Sequence, residues 1–168
     1  VTLPGTEPGT LHVNSQTSSV GIGVPVTDNG TGVLTLVKSG SGLLHLGNSA
    51  NTFSGGLVIN EGTVSCPGDG ALGTPGGDII FNGNGTLNCA AAYPGMTLNS
   101  ARDIVLNNGA IAQFTGLNVT IEGNVTGSGG IFRPVISNVS LTLNGQSNSF
   151  AGPLIYYGSG YLTVRSLS

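Results

Sequence analysis

Charge is what this chain most lacks. Only 7% of its 168 residues are Asp, Glu, Lys or Arg, four basic against seven acidic, for a formal charge of −3. The four cations, Lys38, Arg102, Arg133 and Arg165, are spread too thinly to neutralise a phosphate backbone, which excludes nucleic-acid binding. Long apolar runs are missing as well. No stretch approaches the roughly 18 residues of a membrane-spanning helix, and the chain opens at Val1 without the pattern of a signal peptide. Helical periodicity is equally scarce: Gly, Asn or Pro interrupts every window of about 12 residues, leaving almost no room for an α-helix. With only two cysteines and two histidines and no clustered ligands, no metal or cofactor is expected.

What is abundant is glycine, 30 residues, with eight prolines. Without periodicity such a level would suggest disorder, but here the glycines punctuate short β-branched runs: Val33–Val37, Ile79–Phe81, Ile104–Leu106, Val119–Ile121 and Leu141–Leu143. The sequence also repeats itself. LHLGNSANTFSG at 44–55 returns as LTLNGQSNSFAG at 141–152, so that Asn51, Phe53 and Gly55 correspond to Asn148, Phe150 and Gly152 at an offset of 97. Repeats of short strands between glycines point to a solenoid, each coil burying its apolar face against its neighbours. The offset divides into about four coils of roughly 24 residues, predicting a single domain over 1–168 of about seven coils, with copies near 1–97 and 98–168.

Stacked parallel strands explain the shortage of charge. Like side chains lie over like about 4.8 Å apart, so a ladder of charges repels whereas ladders of amides and hydroxyls hydrogen-bond. Asn51 and Asn148 are then expected at bends, capping backbone groups of the next coil, with Phe53 and Phe150 pointing inward and the glycines providing positive φ. Cys66 and Cys89 are separated by about one coil and so fall on neighbouring coils, either bridged or as a pair of small buried hydrophobes.

The segment at 32–65 resembles the passenger-associated transport repeat, also called the autotransporter-associated β-strand repeat. The correspondence runs through Leu36, Lys38, Gly40, Gly42, Leu44 and Leu46, then Asn51–Gly56, then Glu61–Val64, with Ala71-Leu72-Gly73 as the usual continuation. The second copy departs from it, with Arg133–Ser137 in place of Lys-x-Gly-x-Gly and Pro153 in place of a glycine. The resemblance implies a right-handed parallel β-helix, exported to the bacterial surface, with no catalytic residues. No outer-membrane barrel follows in the sequence, so a passenger piece or a free-standing relative is expected.

Parallel β-helices also carry carbohydrate-active sites, which need clustered carboxylates. Among the acids Glu7, Asp28, Glu61, Asp69, Asp78, Asp103 and Glu122, the pair Asp78 and Asp103 has a spacing close to one coil, with Arg102 beside it, and this group is the candidate glycan site of the competing reading. Turn capping is the simpler role for such isolated acids. His12 and His45 are out of phase with any coil and lack a nucleophilic partner. Five Asn-x-Ser/Thr sequons, at Asn29, Asn84, Asn118, Asn124 and Asn138, are close to the number chance gives in so Asn-rich a chain. No capping helix or charged segment is visible for the terminal coils, which invites end-to-end stacking. The expected protein is therefore a non-enzymatic extracellular solenoid, self-associating through its end coils or continuing into a longer surface stalk or adhesin, with surface glycans as the remaining partner class.

Overall fold

A computed structural model of the chain describes residues 6–92, 94–134 and 137–167. It is a parallel β-solenoid of seven coils. The first coil contributes β1 (Gly9–Asn14) and β2 (Ser19–Ile22), the second β3 (Leu34–Ser39) and β4 (Leu43–Leu46), the third β5 (Leu57–Ile59) and β6 (Gly62–Cys66). From the fourth coil onward a third strand appears: β7 (Ile79–Phe81), β8 (Gly85–Cys89) and β9 (Gly95–Leu98), then β10 (Ile104–Leu106), β11 (Ile111–Gly116) and β12 (Asn118–Ile121). The sixth coil holds β13 (Val125–Gly127), β14 (Gly130–Arg133) and β15 (Leu141–Leu143), and the seventh β16 (Ser149–Phe150), β17 (Leu154–Tyr156) and β18 (Leu162–Val164). The described residues contain no α-helix, only a 3-10 turn at Asp69–Leu72.

Three sheets wrap one core. The first, β1-β3-β5-β7-β10-β13-β16, and the second, β2-β4-β6-β8-β11-β14-β17, run the full length, while the third, β9-β12-β15-β18, covers only the later coils. Every strand pair in them is parallel and in register. Alternation decides which side chains go in: Leu36, Leu57, Ile79, Ile104 and Val125 form one fully buried ladder, and Leu44, Val64, Leu87 and Phe114 another. Phe81 and Phe114 meet edge to face at 6.2 Å where two sheets face each other. In the early coils the third side is closed by loops that bury Val26, Phe53, Ala71 and Leu72.

The coils are unequal. The inward column Lys38, Ile59, Phe81, Leu106, Gly127, Phe150 advances along the sequence in uneven steps, the longest running from Phe81 to Leu106. Four coils before Phe150 the column therefore holds Ile59, not Phe53, and the echo at offset 97 overshoots four coils by the stretch from Phe53 to Ile59. The repeated motif consequently returns on a different side of the solenoid. Its first copy leads into β5 of the first sheet, whereas its second copy crosses the last strand of that sheet and leads into β17 of the second. The even division of the offset into four coils is thus corrected to four coils plus about one side of the triangular section.

Candidate functional site

The corners of this solenoid are built from polar side chains that spend themselves on backbone. Asn51 accepts the N–H of Val26 at 2.9 Å from the coil before and donates to the carbonyl of Ala71 at 2.7 Å on the coil after. Asn148 does the same with Val125 and Ser166, each at 2.9 Å. Although the two asparagines sit on different sides, the sequence Asn-x-Phe-x-Gly makes the same corner in both places, with Gly55 and Gly152 donating their N–H to Leu34 and Gly129. Phe53 is fully buried, and Phe150, on the last coil, is half-buried against the core. Both asparagine side chains are buried, and truncating Asn51 strands two backbone groups. Asn51→Ala is expected to cost about 2–3 kcal/mol, read as a lower urea midpoint with an unchanged slope.

Asp78, Arg102 and Asp103 adjoin one another at a corner between coils. Asp78 accepts the N–H of Asp103 at 3.1 Å, Asp103 that of Asn124 at 2.7 Å, and Asn124 that of Ser147 at 2.9 Å, so the acids belong to a corner-capping ladder. Asp28 caps in the same way. Burial pushes its carboxyl upward, but the N–H of Leu34 and the hydroxyl and N–H of Ser54 outweigh that and hold it below the usual carboxylate range. Arg102 turns inward, with no solvent exposure. Its Nε meets Asp69 at 2.9 Å, and its terminal nitrogens donate to the carbonyls of Leu72, Gly73, Thr74 and Gly77.

Two more cations are interior staples. Lys38 donates to the carbonyls of Ser39, Gly40 and Glu61 and is fully buried; burial pushes its ammonium below the ordinary value, against the pull of Glu61. Arg133, equally buried, donates to the carbonyls of Phe114, Gly116 and Leu117, and burial lowers its pKa too. The sequence holds the signal for both. Leu34 and Leu36 point inward in β3, so Lys38 shares their parity, and Arg133 follows Ile131 in the same way. Arg165 is the one cation left exposed among the described residues.

Cys66 and Cys89 are register partners on β6 and β8, and both are buried free thiols, with Cys66 Sγ 3.7 Å from Met96 Sδ. Burial pushes the Cys66 thiol up to about 12 from its ordinary 9.0. A raised native pKa means that its contribution to stability is intact below pH 9 and is lost as pH climbs through about 12. The slope approaches about 1.4 kcal/mol per pH unit. Lys38, depressed below 10.5, acts with the opposite sign, adding stability as pH rises towards that value. Comparing alkaline unfolding of the native chain with that of Cys66→Ala isolates the thiol: the variant is expected to lose the steep decline above pH 9.

The outer faces carry polar ladders. Asn60, Asn82 and Asn107 link amide to amide above Ser39, and Asn88 joins Ser65 to Thr115. His12 and His45 are exposed on different sheets. Between the first and second sheets an open trough of about 530 Å³ runs along the solenoid axis, lined by Glu61, Asn84 and Ile111 on one wall and Thr63, Thr86 and Gln113 on the other, with Phe132 at its end. Its second wall is a register column whose members are unevenly spaced along the chain. No fixed period connects them, and the sequence reading missed the trough for that reason. Among the described residues no group of three or more His, Cys, Asp or Glu could hold a metal, and no helix is long and apolar enough to cross a membrane.

In-register parallel coils with amide-capped corners and glycine-marked turns define a parallel β-solenoid. The Passenger-associated-transport-repeat family matches residues 36–65, and the chain carries a repeat of that family. It is also 30% identical over 163 residues, 97% of its length, to the adhesin BmaC autotransporter of Brucella suis biovar 1 (strain 1330). The chain spans only 4% of that protein's length. No solved structure matches it.

Proposed function

We propose that this chain is a non-enzymatic length of an extracellular, surface-exposed shaft belonging to an adhesin-type passenger, its two end coils covered by further coils. The observation that carries this reading is the state of those ends. Leu11, Val13 and Ile22 on the first coil, and Phe150, Leu154, Tyr156 and Val164 on the last, point to the core yet stay only partly buried. Among the described residues their strands also present one unpaired edge each, the kind of surface a solenoid covers by adding another coil. The similarity to an adhesin autotransporter and the passenger repeat support the surface role.

The test is axial length in solution. Seven coils at about 4.8 Å per rung span about 34 Å. In small-angle scattering the isolated chain is expected to lengthen with concentration in increments of that size. A version extended at both ends by a polar capping helix is expected to stay at single length. Persistent single-length monomers at high concentration, capped or not, would refute coil-on-coil covering.

A further inference from the structure

We infer that the trough between the first and second sheets is a binding site for an uncharged oligosaccharide running along the solenoid axis. The inference rests on the adhesive reading above and names its ligand. Three observations carry it.

First, most polar side chains of the trough are uncommitted, Ser41 being tied to the carbonyl of Gln16. On the neighbouring outer rows the amides and hydroxyls are tied to one another, Ser39 through Asn107 on one side and Ser65 through Thr115 on the other. The side chains of Thr63, Thr86 and Gln113 make no hydrogen bond to the protein among the described residues. Asn84 uses only its Oδ1, accepting from the Ile111 N–H at 2.8 Å, which leaves its two amide protons for a ligand. Hydroxyls and amides offering both donors and acceptors are what a row of sugar hydroxyls requires.

Second, the charge of the trough selects the ligand. Its lining includes no cation, because Lys38, directly beneath, buries its ammonium against the backbone, and the single carboxylate is Glu61. Sulfated, phosphorylated or uronate chains are thereby repelled. Glu61 is free to accept from a hydroxyl.

Third, the geometry favours a pyranose chain over a peptide. Backbone groups of β6, β8 and β11 are used in the ladder, so an added strand finds no donors or acceptors there. The polar side chains instead recur once per rung, about every 4.8 Å, a spacing comparable to one sugar ring and unlike that of successive peptide residues. Phe132 is the register partner of Gln113, one rung further along the row of Thr63 and Thr86. Phe132, held edge to face by Tyr157 at 5.9 Å, and Ile111 give the apolar surface on which the flat face of a sugar packs.

The test uses the whole chain with neutral tetra- to hexasaccharides of β-linked glucose and of N-acetylglucosamine, with heparin-derived fragments for contrast, followed by saturation-transfer NMR and calorimetry. Binding of at least one neutral series and none of the sulfated fragments is expected. Phe132→Ala and Thr86→Val, both facing outward, are each expected to weaken binding about tenfold, with unchanged circular dichroism and unchanged axial length in scattering. No neutral binding, stronger binding of sulfated fragments, or full binding by the double variant would overturn the assignment. Scattering on the same samples keeps the outcomes apart: loss of sugar binding with normal axial length removes the trough and leaves the shaft intact.

Discussion

Arg102→Ala is expected to lower stability by about 3–5 kcal/mol, the usual cost of breaking a buried, hydrogen-bonded charge pair. The guanidinium leaves the corner after β9 and reaches back to Asp69 and to the carbonyls of Leu72, Gly73, Thr74 and Gly77 on the preceding coil. Removing it strands the carbonyls of Leu72, Gly73 and Gly77, while Thr74 keeps the N–H of Gly77 and Asp69 keeps that of Asn99. Arg102→Lys should rescue little, because an ammonium cannot reproduce the planar fork that reaches these acceptors at once. The loss is also local. A solenoid's stability is approximately a sum of neighbour terms, so weakening one interface should split thermal unfolding into two transitions, the first three coils melting apart from the rest. A single sharp transition displaced by less than about 2 °C, corresponding to under about 1 kcal/mol in a domain of this size, would refute this role.

Gly62→Ala is expected to cost about 2–5 kcal/mol, combining left-handed strain with a clash that no side-chain rotation relieves. Gly62 has φ 78°, and a β-carbon there would strike the carbonyl of Gly40, approach that of Gly42 at 2.6 Å and approach Lys38 Nζ at 2.8 Å. The substitution therefore disturbs both the turn and the ammonium staple beneath it. Gly23→Ala is the matched control, with open space around the new methyl group and no positive φ. Its urea midpoint should lie within about 0.5 kcal/mol of the native value, and equal midpoints for the two variants would refute the account.

The sequence shows the solenoid because its signals are local. Leu141-Thr142-Leu143 and Ile104-Val105-Leu106 alternate within three residues, and Asn51 and Asn148 cap corners as their neighbours suggest. Phase is what a single chain hides. Corner lengths differ from coil to coil, so the echo between Phe53 and Phe150 resembles a whole number of turns, whereas pairing places Ile59 under Phe81 in the column that ends at Phe150. The same irregularity conceals the trough, since Thr63, Thr86, Gln113 and Phe132 become neighbours only after every intervening bend is known. For Asp78, Arg102 and Asp103 position is legible but direction is not. Adjacent in sequence and stacking, they suggest a reactive face, yet the acids turn to the next coil's amides while the arginine turns inward.

The mismatch between the sequence echo and four coils also bears on how such chains change length. Recombination between the two Asn-x-Phe-x-Gly corners would excise one copy with everything between them and leave a single intact corner, because both copies bond the coil before and the coil after in the same way. Everything downstream would then be re-indexed azimuthally by about one side of the prism. Gain or loss of such units would therefore shorten or lengthen the rod and, in the same event, rotate whatever its lateral surfaces display.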